Sequence, residues 1–256
     1  MWNPVRRNRN IGTSNQGFGS NNKLDISYPL LGSKGFRDFY ERLGPYEKIE
    51  KIINGHSFIF VIEAPRKSCT HACSVQDVER IIENIPSSHY GSLKLIIFRQ
   101  PKRKEEIISS VWGRLIYSYT FEDDYFPAII LEAVDCDKKI YFKKSQAPED
   151  EKEFKRLISD GHQFVENKRN FISHLDPGSV RNTQLYRTLP HEFGHYVQYQ
   201  KIVGDLKDEE DLEDWEKRNE TYLQIPKSDK ENYAHRYAND LIEKLKKVKV
   251  IPFDRI

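Results

Sequence analysis

The chain has 256 residues, with 41 Lys and Arg against 39 Asp and Glu, 38% hydrophobic residues and 3 cysteines. That length can bury a sizeable core, the apolar content excludes wholesale disorder, and a formal charge of +2 excludes a whole-chain field able to hold nucleic acid or anionic lipid. Every window of about 20 residues is too polar to cross a bilayer, and the sparse, odd cysteine count suits a reducing compartment, so the chain reads as soluble and cytoplasmic, with no nucleic-acid or membrane partner.

Residues 1–25 are rich in Asn, Gly, Ser and Arg and read as a flexible arm, without the apolar run of about 7 to 15 residues that a secretory signal needs. Residues 26–55 read as an N-terminal extension packed on the core, and 56–256 as the main domain. His56 to Ala64 has the β-branched and aromatic density of a strand. Ser74 then opens a helix that Pro86 ends, with Asp77 and Glu79 in its first turn and Val78, Ile81 and Ile82 on one face. Further strands are expected over 93–99, 111–120, 128–134 and 139–143, with short connections that favour a mixed or antiparallel sheet. Helical periodicity follows over 149–173, 182–203, 208–223 and 229–249. Strands first and helices afterwards make an α+β architecture.

The chemistry is concentrated in His191-Glu192-Phe193-Gly194-His195, which matches H-E-x-x-H. Two histidines four apart on a helix are separated by about 40° around the axis and about 6 Å along it, so their imidazoles can converge on one ion. Glu192 is rotated about 100° from His191 and can serve as the base for a metal-bound water. Leu185, Leu189, Phe193 and Val197 should pack this helix against a core. Pro190 removes a hydrogen bond to the carbonyl of Tyr186, so either Thr188 caps a helix that starts there or the helix bends.

A catalytic zinc needs a third protein ligand and one open position. The extended H-E-x-x-H-x-x-G-x-x-H pattern fails at Gln198 and Lys201, and Met1 is the sole methionine, which excludes a metzincin with its Met-turn. Glu231 is the better candidate: it opens the last helix beside the stripe Ala234, Ala238, Leu241 and Leu245. Ser228 and Glu231 also spell a capping box, in which the carboxylate would merely satisfy a backbone N–H. His235, one turn on, is a substitute ligand or a transition-state donor, and Tyr222, Tyr233 and Tyr237 are further donor candidates or core aromatics.

With Glu231-Asn232-Tyr233-Ala234 spelling E-x-x-A after the H-E-x-x-H motif, the segment 182–245 resembles the gluzincin class of zinc metallopeptidases, and in size the compact minigluzincin type. The resemblance implies a zincin-like fold, in which a small mixed sheet that binds extended peptide along its edge precedes the helices. It also implies zinc ligands His191, His195 and Glu231, with Glu192 as general base and then acid. The stretches HACS, FRQPKRK and VWGRL resemble an uncharacterised bacterial family, which implies no function.

The expected activity is therefore hydrolysis of a peptide or protein through Glu192-assisted activation of zinc-bound water. The alternative is a zinc-binding regulatory or protein-interaction module of the same fold with little turnover, for which Glu192 would have no use. A peptide deformylase is disfavoured because its companion glycine- and cysteine-containing motifs are missing. Three weaker signals remain. Cys69, His71 and Cys73 could clip a metal, sense redox state or form an ordinary turn; Arg99, Lys102, Arg103 and Lys104 make a basic loop; and the acidic stretch 205–220 is a solvated helix or a lid selecting basic substrates, with Glu213 and Glu220 as rivals of Glu231.

Overall fold

A computed structural model describes residues 42–103, 111–205 and 212–256. The arm expected over 1–25, most of the extension, Lys104 of the basic loop and residues 206–211 of the acidic stretch lie outside the described residues.

Strands β1 (Tyr46–Ile53) and β2 (His56–Glu63) form an antiparallel hairpin, closed by Asn54 and Gly55, both at positive φ (49° and 80°). The sheet thus begins at Tyr46, inside the span expected to be an extension. After a short β3 (Cys69–Thr70), helix α1 (Val75–Glu83) is opened by Ser74, whose hydroxyl accepts from the N–H of Asp77 while the Asp77 carboxylate accepts from the N–H of Ser74. This helix is the crossover to β4 (Leu95–Arg99), which lies parallel to β2. β5 (Gly113–Phe121) and β6 (Asp124–Glu132) complete a five-stranded mixed sheet of order β1-β2-β4-β6-β5, with β6 parallel to β4 and β5 antiparallel at the edge.

The alternation of β5 is broken between Ile116 and Tyr119. Leu115 and Tyr117 accordingly pack toward the helices, while Tyr119 joins the cluster of Val61, Leu95, Ile97, Ala128 and Ile130 on the opposite face. β7 (Val134–Asp135) pairs with β3, and β8 (Lys139–Lys143) belongs to a small sheet with β9 (Val165–Glu166) and β10 (Asn170–His174), in the order β8-β10-β9. Helix α2 (Pro148–Ser159) covers that sheet through the rings of Phe142, Phe154, Phe164 and Phe171.

A helix over 149–173 is not formed. It stops at Ser159, Gly161 adopts φ +104°, and the chain continues as β9 (Val165–Glu166) and β10 (Asn170–His174). Phe171 and Ile172 satisfy a helical stripe and a strand alternation equally, and the glycine with the aromatic pairing decides for the strand.

From Pro177 the described elements are helices: α3 (Pro177–Thr183), one π-helical turn (Gln184–Thr188), α4 (Leu189–Ile202), α5 (Leu212–Gln224) and α6 (Lys227–Lys247). The main core lies between the sheet and these helices, with Phe58, Ile96 and Ile129 on one side and Leu185, Leu189, Phe193, Leu241 and Leu245 on the other. The architecture is α+β. No helix among the described residues is long and apolar enough to cross a membrane.

The last turn of α3 is tied to α1 by a buried ion pair. Arg181 Nη2 and Nε lie 2.8 and 2.9 Å from the two oxygens of Asp77, whose side chain is fully buried. Burial pulls the Asp77 carboxyl upward, but bonds from Arg181, Ser74 and Ile256 outweigh it and hold the group below the usual carboxylate range. Removing one partner strands a buried charge, so Asp77→Ala should cost about 3–5 kcal/mol in urea unfolding at pH 7. Because the folded pKa is lowered, the wild-type advantage is complete above the unfolded value of about 3.9 and is lost as pH falls through the folded one. Unfolding curves for the two proteins should therefore converge in acid.

Candidate metal centre

The H-E-x-x-H helix is not started by Thr188. That residue has helical φ and ψ of −66° and −54° and makes no side-chain capping bond. Helix α3 instead runs into α4 through the π-helical turn, where the N–H of Leu189 donates to the carbonyl of Gln184. The wider turn gives the Pro190 ring room against the preceding carbonyls without ending the helix.

Gln184 anchors that turn to the sheet. Its buried amide donates to the carbonyls of Trp112 and Glu132 at 2.9 and 2.8 Å, and its oxygen faces the Cys73 thiol at 3.5 Å. Gly113 lets β5 come close, since a methyl there would fall 2.5 Å from the carbonyl of Ile130 and 2.9 Å from Thr188 Cγ2. Strand β5 is thereby held beside α4, and the main chain at Leu115 pulls the Glu192 carboxyl downward.

Helix α6 supplies the distal carboxylate. Its N-cap is Pro226, with no side-chain capping bond, so the capping box of Ser228 and Glu231 does not form. Glu231 reaches across to α4, and the two helices touch at Gly194 and Ala234, where an added methyl at 194 would stand 2.8 Å from Ala234 Cα and 2.9 Å from its carbonyl oxygen. Gly194 and Ala234 are the small residues inside the two motifs. Their size sets the distance between the helices, and that distance lets a short Glu side chain meet the histidines.

The structure brings the sequence-predicted trio together. His191 Nε2 lies 3.1 Å from His195 Nε2 and 3.3 Å from Glu231 Oε2, and His195 Nε2 lies 3.8 Å from the same oxygen. His235 adjoins them: its ring centroid is 4.4 Å from that of His191, and ligand atoms of His191, Glu231 and His235 all fall within 4.8 Å of one another. Arg156 Nη2 of α2 lies 3.3 Å from His235 Nε2.

Burial pushes His195 down to about 4, reinforced by His191; burial, His191 and Arg156 do the same to His235. At neutral pH both rings are uncharged and carry a lone pair. A hydrogen bond from His191 holds Glu231 down to about 2 against the upward pull of burial, so it is ionised. Burial raises Glu192 to about 7, which makes it a carboxylate able to exchange a proton near neutrality. Neutral imidazoles around an ionised carboxylate form a donor set suited to a cation. His191 Nδ1 is buried and has no hydrogen-bond partner among the described residues, so none of them orients that ring from behind.

The other candidate donors are less available. Tyr237 OH is engaged with His89 Nδ1 at 2.9 Å, and Tyr233 OH with Lys201 Nζ at 3.0 Å. Tyr222 is buried with its OH 2.6 Å from Tyr117 OH. Glu213 lies 3.0 Å from Lys217 and, like Glu220, is exposed on α5. Cys69, His71 and Cys73 do not converge: His71 Nε2 meets the carbonyl of Glu63 at 2.7 Å, Cys73 points at Gln184, and all three cysteines of the chain are free. Arg99 of the basic loop is buried against Glu132 at 3.0 Å rather than solvated.

Leu115, Tyr117 and Arg156 escape a reading of sequence alone, since nothing in their spacing ties them to the motif; Gly194, inside the motif, has its size as a signal. Comparison of the chain with protein-family models, curated proteins and solved structures finds no match.

The Gly194 contact is directly testable. Gly194→Ala adds a methyl against main chain that cannot swing aside, and should cost about 1–3 kcal/mol despite the better helix propensity of alanine. Chemical denaturation should show a lower midpoint with an unchanged slope.

Proposed function

We propose that the protein is a zinc-dependent metallopeptidase of zincin-like, gluzincin type that hydrolyses a peptide or protein in the cytoplasm. His191, His195 and Glu231 are its metal ligands and Glu192 is its general base. The carrying observation is the convergence of three donor atoms at mutual distances of 3.1, 3.3 and 3.8 Å. Donors about 2.0–2.1 Å from an ion in a tetrahedral array stand about 3.3–3.4 Å apart, so the spacing fits zinc with one corner left over. Free thiols at Cys69, Cys73 and Cys136 fit a reducing compartment.

When bound, zinc supplies Lewis acidity: it makes water a nucleophile near neutral pH and polarises a carbonyl. The protein supplies the rest. Glu192, brought near neutrality by its buried position, takes a proton from water and returns it to the leaving amine. Strand β5 has β6 as its neighbour and lies at the sheet edge beside α4, where an extended peptide can add to it by main-chain hydrogen bonds. His235 is the best placed donor for charge that develops on the attacked carbonyl.

One observation favours the second reading, a zinc-binding regulatory or protein-interaction module. His235 lies within ligand reach of His191 and Glu231, and a fourth protein ligand would close the site and make it structural.

Metal content by mass spectrometry, measured beside cleavage of a peptide library, separates these. The wild type should carry about one zinc per chain; His191→Ala and Glu231→Ala should lose or weaken it; Glu192→Gln should keep it and lose cleavage by at least about a hundredfold. Full occupancy in Glu231→Ala would reject the third ligand, and cleavage surviving in Glu192→Gln would reject the base.

A further inference from the structure

The position of Arg156 bears on whether the centre is open or closed, and the argument rests on the metal site proposed above. A neutral imidazole has one N–H and one lone pair. Arg156 can only donate, because a guanidinium has no acceptor and is not deprotonated in proteins. Its Nη2 at 3.3 Å from His235 Nε2 therefore takes up the lone pair of that nitrogen and leaves the proton on Nδ1. Ligation through Nε2 would require displacing the guanidinium. Ligation through Nδ1 would require moving the proton to Nε2, where two donors would then face each other. Either way the ion gains His235 only if the bond to Arg156 is broken.

We infer that Arg156 is a positioning residue that denies the metal its fourth protein ligand and keeps His235 as a hydrogen-bond donor.

Arg156 is held in place by a chain of ion pairs reaching back to the motif helix. Glu153 Oε2 lies 3.9 Å from Arg156 Nη1 and 2.8 Å from Arg187 Nη1, and Arg187 Nε lies 2.8 Å from Asp160 Oδ2. Arg187 sits in the π-helical turn just ahead of His191. Helix α2 is thus fastened through Glu153 and Asp160 to the same turn that orients the histidines, which sets the backbone carrying Arg156 within reach of His235. Without Arg156, the donor atom of His235 that already lies within 4.8 Å of those of His191 and Glu231 is released to the ion.

The test counts imidazoles. X-ray absorption fine structure on the zinc-loaded full chain should give two imidazoles in the wild type and three in Arg156→Met, and competition against a chromophoric chelator should show zinc held at least about tenfold more tightly by the variant. Peptide cleavage should fall by about a hundredfold at the same time. A variant with tighter metal and weaker turnover is not what a merely structural role would produce. Arg156→Met combined with His235→Ala should return to two imidazoles and to wild-type affinity, and Arg156→Ala gives the same measurement should the methionine variant fail to fold. Three imidazoles in the wild type, or two with unchanged affinity in Arg156→Met, would overturn the role of Arg156 while leaving the metal centre standing. A wild type that binds no zinc refutes the centre itself, and the inference with it.

Discussion

The site depends on one contact, the approach of two helix backbones at Gly194 and Ala234. His191 is one turn before Gly194 on α4, and Glu231 is one turn before Ala234 on α6. Stacking the two small residues face to face therefore aligns the preceding turns, and the carboxylate meets the imidazoles. Helices that pack through ordinary side chains keep their axes about 8–10 Å apart. A glutamate has three carbons after Cα, and at a wider crossing it would fall short of both histidines. Tyr237, three residues further along α6, closes the same contact, its Cβ standing 3.2 Å from a methyl added at Gly194.

This crossing fixes Glu231 relative to the histidines, but it leaves open where Glu192 stands. That is decided on the other side of α4, by the sheet. The helix reaches the sheet through a turn widened around Pro190, and the buried amide of Gln184 fastens that turn to carbonyls at the ends of β5 and β6. The Trp112 carbonyl also accepts from the N–H of Glu132 at 3.1 Å, so the amide is fastened where the two strands already meet. The result is a strand edge, the Glu192 carboxylate and a pair of imidazoles held on one frame, with Leu115 close enough to act on Glu192 across the join.

The parts of this arrangement that were legible in the sequence are those that local spacing determines. The i, i+4 histidines, the adjacent glutamate, the Ser74 cap and most strand positions follow from a single turn or a single alternation. Glu231 was reachable because its helix is amphipathic and its neighbour Ala234 is small. What escaped is set by contacts between distant segments. The start of the sheet at Tyr46 depends on pairing with β2; the strands after Gly161 depend on rings from α2; the π-helical turn depends on carbonyls at the sheet end. Spacing alone leaves two options open at Pro190, a cap at Thr188 or a bent helix, and only the continuous α3 in front of Thr188 removes the first. Arg156 has no local signature, being about eighty positions from the histidine it touches.

The electrostatics of the centre give this geometry its direction. Packing imidazoles and two carboxylates into a half-buried space is unfavourable by itself, because each charge loses hydration and each lone pair loses water. Burial keeps His195 and His235 neutral, so they cannot neutralise Glu231 by becoming imidazolium ions, while Glu231 remains ionised. The two Nε2 atoms at 3.1 Å can share at most one proton between them. A cation placed among these groups satisfies lone pairs and negative charge together, and its binding free energy is then added to folding. The same reasoning explains the opposite treatment of Glu192. It lies on the far side of the motif from the α6 seam, facing β5, where burial without a full counter-charge raises it toward neutrality. Two glutamates beside the same histidines are thus driven in opposite directions by their surroundings, one toward permanent charge and one toward proton exchange, which is the division that the proposed ligand and the proposed base each need.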